Sequence, residues 1–210
     1  IALISFAIAI IGLREIIGLD AAGASSSAIS ATTARTMGLV WAWGAVALFG
    51  YIGTPTSLAA LPLATAAKTP FIAPFTGAQA LRDPFNRQAF HLRASYYDET
   101  ARIVNQVTEV GMKRVAVFHQ NDSYGQAGLD GVTRALKAQQ LGAVATGTVE
   151  RNSVDVAAAV ERILPGKPEA IVQISAYKSC AAFVRAARKA GYTGQFYNVF
   201  TTKHTPYHIC

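Results

Sequence analysis

A chain of 210 residues, half of them hydrophobic and 15% charged, is a globular polypeptide long enough to bury a sizeable core, in one large domain or two small ones. Its net charge of +7 does not mark a nucleic-acid partner, because the basic residues are scattered and no run exceeds the pairs Lys113-Arg114 and Arg188-Lys189. Cys180 falls on an apolar helical pattern and reads as a small core residue, and Cys210 is the last residue of the sequence.

Residues 1–44 read poorly as protein. Ile1–Ile11 is almost wholly apolar, and Ala21–Ala34 is Ala, Ser or Thr at 12 of 14 positions with no helical or strand period. Met37–Ala67 carries no charge at all, which raises a membrane span. The Thr-Pro-Thr-Ser stretch after Gly53 argues against it, and Ile1–Gly12 is too short to span and lacks the basic start of a signal peptide. The segment is expected to be aberrant: a frameshifted, poorly determined or degenerate reading.

From Ala45 the grammar becomes regular. Ala45–Phe49 and Pro70–Ala73 read as buried strands around a Leu58–Lys68 helix, in which Pro62 either delays the start or introduces a kink. Strand–loop–helix–strand is the βαβ pattern of a parallel sheet, whose ligands lie outside the carboxyl ends of the strands. Two polar loops, Gly53–Ser57 and Phe75–Gly77, fall at such ends. The hydroxyls of Thr54, Thr56 and Ser57 suit a small anion at a helix start, or serve as plain N-caps. Asp83–Arg87 reads as a turn, and Ala89–Arg93 alternates as a strand.

The remainder alternates helix and strand. A helix from about Tyr97 presents Ile103, Val107 and Val110 and stops at Gly111; strand Arg114–Phe118 follows. Asp122 or Ser123 caps a helix with Leu129, Val132 and Leu136 inward, ending near Gly142. A weaker strand, Ala143–Val149, leads to Ser153 as a third cap, with Val156, Val160 and Ile163 lining the helix up to Pro165-Gly166. Strand Ala170–Ile174, helix Lys178–Ala190 with Phe183 and Ala187 inward, and strand Gln195–Val199 complete a doubly wound α/β pattern.

No reactive constellation emerges: there is no G-x-S-x-G elbow, no P-loop and no G-x-G-x-x-G after a strand. His91 and His119 read as structural, and Asp98-Glu99 as a first helical turn. In the tail, Pro206 separates His204 from His208 and opposes the helix that would bring them together with Cys210, so no metal site is assigned.

The segments FGYIGTPTS, PFIAPFTGAQALR, FHLRASYYDET, VAVFHQNDSYGQAGLDGV and AIVQISAYKS…AARKAGY carry a longer signal through their order and spacing. From about Leu48 to Val199 the chain resembles a periplasmic solute-binding protein of ABC importers, in the branched-chain amino acid and amide-binding group. The resemblance implies the α/β type I periplasmic-binding fold, with two doubly wound parallel-sheet lobes and the first lobe incomplete. On this basis 1–44 stands outside the pattern, 45–93 is part of the first lobe, 94–199 is the second, and 200–210 is a divergent tail. It further implies a periplasmic protein that is not an enzyme and needs no cofactor. Such a protein closes about a hinge on an amino acid, amide or small carboxylate and presents it to an ABC permease. Matching contact positions are Gly53, Thr54, Phe75, Thr76 and Gly77 on the first side, and Tyr124, Ala176 and Tyr177 on the second. Threonine hydroxyls and backbone N–H groups would hold a carboxylate, Thr76 or a nearby carbonyl would accept from an ammonium, and a tyrosine would cover an apolar side chain. Tyr124 reads alternatively as a packing residue at a helix start. Two positions depart from relatives: Gly77 stands where some carry threonine, and Phe200 about where some amino-acid binders place an acid. With one jaw incomplete the chain is expected to bind its ligand weakly or not at all. Rival readings are the sensing domain of a receptor or transcription regulator with this fold, and a flavodoxin-like nucleotide-binding domain.

Overall fold

A computed structural model describes residues 47–199; the readings made for 1–44, for the first two residues of the strand Ala45–Phe49 and for Phe200 onward lie outside them. Two parallel sheets organise the described residues. The first contains β1 (Leu48–Phe49), β2 (Phe71–Ile72) and β3 (Ala89–Phe90), in the order β1-β2-β3. The second contains β4 (Val115–Gln120), β5 (Ala145–Val149), β6 (Ala170–Ile174) and β7 (Gln195–Asn198), in the order β5-β4-β6-β7. Every pairing in both is parallel. Five helices connect them: α1 (Thr54–Ala66), α2 (Tyr96–Glu109), α3 (Ser123–Ala138), α4 (Ala157–Ile163) and α5 (Tyr177–Lys189).

The second sheet shows why its strands were legible. Every residue of β4 and β6, the two central strands, is buried, as expected of strands covered on both faces. Their side chains alternate between two cores. Val115, Val117, Val172 and Ile174 pack with Val104 and Val107 of α2 and Val132 and Leu136 of α3. Ala116, Phe118 and Ile171 pack with Ile163 of α4 and Phe183 of α5, and Phe118 stacks on Phe183 at 4.1 Å between ring centroids. The chain leaves β4 toward β5 and returns across it to β6. The gap between β4 and β6 is therefore the topological switch point, where an open sheet gathers ligands at its carboxyl edge.

Several local expectations are corrected. The described strands of the first sheet are two residues each, and β2 and β3 are shorter than Pro70–Ala73 and Ala89–Arg93 suggest. Helix α1 starts at Thr54, not Leu58, because Pro55 in its first turn has no N–H to leave unpaired and a preset φ. Pro62 is accommodated inside it. The buried stripe of α2 is Tyr96, Thr100, Val104 and Val107, whereas Val110 is 63% exposed. Ser153 does not cap α4: the cap is Val156, and the Ser153 hydroxyl accepts from the Asp155 N–H instead.

Helix α2 begins with a reciprocal cap. The Ser95 hydroxyl accepts from the Asp98 N–H at 3.1 Å, and the Asp98 carboxylate accepts from the Ser95 N–H at 3.1 Å. The Ser95 hydroxyl, more than any other group, holds the Asp98 carboxyl below the usual range. Ser95→Ala is expected to cost about 1 kcal/mol in urea unfolding. The Asp98 contribution is complete above its unfolded pKa of about 3.9 and is lost as pH falls through the lower folded value. Asp98→Asn should flatten that acid limb of the stability–pH curve; an unchanged limb would remove the cap from the account.

Candidate functional site

A cavity of about 480 Å³ opens between the carboxyl ends of the two sheets. On the first-sheet side its wall is Gly53, Thr54, Pro55 and Phe75. Gly53 is the N-cap of α1 at φ 96°, a left-handed conformation that favours glycine. No side chain caps that helix, so the Thr and Ser hydroxyls are not its N-caps. Thr56 donates back to the carbonyls of Ile52 and Gly53, and the Thr54 hydroxyl instead pairs with Thr76 at 2.7 Å.

Thr76 and Gly77 stand behind this wall rather than in it. Thr76 is fully buried, and its hydroxyl bonds Thr54, lies 3.4 Å from the Tyr96 hydroxyl and accepts from the Ala78 N–H. Gly77 accepts from the Tyr96 N–H at 2.7 Å, and a Cβ there would lie 2.6 Å from the Tyr96 ring. The ring of Tyr96 therefore accounts physically for glycine at 77, where a threonine would collide.

On the second-sheet side, Tyr124, Ala176 and Tyr177 line the same cavity. Tyr124 sits in the first turn of α3, buried, with its ring edge-on to Tyr96 at 5.5 Å. Both the packing and the ligand-facing readings of Tyr124 are thus compatible with its position. Ala176 is the N-cap of α5 and makes no side-chain cap bond, so this helix too directs first-turn N–H groups and the positive end of its dipole outward. Six of the eight positions singled out from the sequence line this one cavity, three from each side.

The charged and amide lining was not foreseen. Arg93, Gln120, Asp122, Arg151, Asn152 and Lys178 all reach the cavity. Asp122 is the N-cap of α3: its Oδ1 accepts from the N–H groups of Tyr124 at 2.9 Å and Gly125 at 3.1 Å. Its Oδ2 accepts from Gln120 Nε2 at 2.6 Å and lies 4.0 Å from Arg151 Nη1. Arg93 makes a two-pronged pair with Glu99 at 2.8 and 2.9 Å, and its guanidinium lies 5.2 Å from the ring centres of both Phe75 and Tyr96. The missed residues follow the ends of β3, β4, β5 and β6, so carrying the strand-end rule through every strand would have found them.

The chain between β3 and α2 crosses from one sheet to the other. Arg82 clamps it, donating through Nη2 to the carbonyls of Arg93 at 2.8 Å, Ala94 at 3.3 Å and Thr76 at 3.4 Å. Burial draws the Arg82 pKa down, against the opposing pull of Asp98. His91 contacts the Leu81 carbonyl through Nε2 at 3.0 Å, and burial, with Arg82 nearby, lowers its pKa. Among the described residues there is no His/Cys/Asp/Glu group that could hold a metal ion, and no helix long and apolar enough to cross a membrane.

Comparison with known proteins bears on the family and the fold. A model of the periplasmic binding protein family matches residues 17–206, a wider span than Leu48–Val199. Among solved structures, a possible leucine/isoleucine/valine-binding protein from Rhodopirellula baltica is 35% identical, with a TM-score of 0.70 over 80% of this chain and 47% of that one. A substrate-binding periplasmic protein from Ralstonia solanacearum is 30% identical, with a TM-score of 0.65 over 72% of this chain and 43% of that one. A branched-chain amino acid ABC transporter protein from Thermus thermophilus, solved with bound valine, shares the fold at 20% identity, with a TM-score of 0.67 over 80% of this chain and 44% of that one. The chain thus spans less than half the length of these structures. No curated protein sequence matches it.

Proposed function

Because the chain belongs to the periplasmic binding protein family, we propose that it holds a small polar solute (an amino acid, amide or small carboxylate) in the cleft between its sheets and presents it to an ABC permease from the periplasmic side. In this reading 45–93 belongs to the first lobe, 94–199 forms the second, and the crossover held by Arg82 is the hinge. The observation that carries it is the cavity itself: about 480 Å³, at the carboxyl ends of both sheets, with walls from each. That size is usual for a small-molecule site. Its lining offers two helix starts without side-chain caps, suited to an anion, and the rings of Phe75, Tyr96, Tyr124 and Tyr177 for an apolar body. A ligand touching both walls stabilises the closed arrangement by contacts that the open one lacks, which is the requirement for hinge closure. The cavity serves as a binding site with no covalent chemistry.

The test is thermal unfolding of the full chain against amino acids, their amides, short carboxylates and nucleotides. A true ligand at a hundred times its Kd should raise Tm by roughly 5–10 °C. Stabilisation by nucleotides alone would refute the solute-binding reading.

A further inference from the structure

We infer that the solute of this cleft is a carboxylate with an apolar body and no ammonium group, selected by Arg151 and Lys178. The inference rests on the reading of the cleft as the ligand site. Its basis is the inventory of charge in the wall. Among the described residues, three cationic side chains, Arg93, Arg151 and Lys178, line the cavity against a single carboxylate, Asp122. Arg93 already holds Glu99 by two hydrogen bonds, so its charge is compensated from behind the wall. The Asp122 carboxylate, the one anion an incoming ammonium would meet in the described wall, is engaged at both oxygens. Oδ1 serves two backbone N–H groups of the α3 cap, and Oδ2 takes the Gln120 amide at 2.6 Å. Turning Asp122 toward an ammonium would uncap α3 and release Gln120, a buried side chain.

Arg151 and Lys178 have no comparable commitment. Arg151 keeps more than half of its side chain in solvent and reaches Asp122 only at 4.0 Å, and Lys178 is exposed in the first turn of α5. Both long, exposed side chains line the cavity and can close on an anion as water is excluded and their attraction strengthens. The same excess of positive charge repels an ammonium. Elsewhere the lining is aromatic and apolar, through Phe75 on the first-sheet side, Tyr96 at the start of α2 and Tyr177 beside Lys178, and suits the body of the acid rather than a second charge.

Matched probes separate the charges. Heteronuclear NMR titration of the full chain would compare leucine with 4-methylpentanoate, its skeleton without the ammonium, and with 3-methylbutylamine, its skeleton without the carboxylate. Phenylalanine and 3-phenylpropanoate make a second pair. Each acid is expected to bind at least tenfold more tightly than its amino acid, and the amine not at all. The Arg151→Ala/Lys178→Ala double variant, checked for native melting, should lose at least tenfold for the acids. Amino acids binding as tightly as the acids would overturn the inference and leave the cleft reading standing. Acid preference that survives the double variant would overturn the assignment to these cations. No binding by any probe at millimolar concentration would overturn both the inference and the cleft reading.

Discussion

Gly125→Ala is expected to lower the unfolding free energy by about 3 kcal/mol and to abolish ligand binding. The first turn of α3 lies against the last peptide of β4. A Cβ at 125 would stand 1.8 Å from the Gln120 carbonyl oxygen, 2.7 Å from its carbon and 2.8 Å from its nitrogen. These are backbone atoms of a fully buried central strand, so no flexible side chain is available to yield. The helix must retreat by about an ångström or more, and overpacking of this kind costs about 1–3 kcal/mol, occasionally more. Retreat also stretches the bond from the Gly125 N–H to Asp122 and displaces Tyr124, both part of the cavity wall. Gly142→Ala is the control: a Cβ there meets nothing within 4 Å, and its effect should stay within about 0.5 kcal/mol. Urea midpoints for the two variants decide the matter. Equal midpoints would mean that α3 is not seated on β4 as described.

The same close approach shows what the sequence made legible and what it did not. The continuous apolar runs of β4 and β6 announce buried parallel strands, and Asp122 announces the cap after the first of them. Both signals are local. Gly125, Gly128 and Gly131 read only as weak helix formers, because their purpose depends on Gln120, Ile174 and Thr100, which meet them only after folding. The stripe of α2 was misplaced for a related reason. Apolar periodicity favours Ile103 and Val110, whereas the buried positions include Tyr96 and Thr100, whose polar groups find partners in the core. In the site, loop residues with hydroxyls and rings stood out at strand ends. The charges of Arg93, Arg151 and Lys178 did not, since a cation in a turn has the same sequence signature whether it faces solvent or a cleft.

Arg93→Met is expected to destabilise the chain by about 2–3 kcal/mol, with Arg93→Lys between it and the native protein. Arg93 ends the crossover, and its own carbonyl is held by Arg82. Its guanidinium bonds both oxygens of Glu99, while its faces lie near Phe75 from the first-sheet side and Tyr96 at the start of α2. The two side chains are only 13% and 20% exposed, so the pair is screened far less than a surface one. Methionine keeps the length and most of the packing but leaves the Glu99 carboxylate without its two-pronged partner in poorly solvated surroundings. Breaking a buried pair costs about 3–5 kcal/mol, and the residual exposure reduces that here. Lysine restores the charge but offers neither the fork nor the flat face, so it recovers part of the loss. The double variant Arg93→Met/Glu99→Leu removes both charges and should be more stable than Arg93→Met alone, because the penalty lies in the stranded carboxylate rather than in the absent contact. A double variant no more stable than Arg93→Met would transfer the effect to the stacking on Phe75 and Tyr96. In that case ligand affinity, which depends on the same rings, should fall equally in both variants.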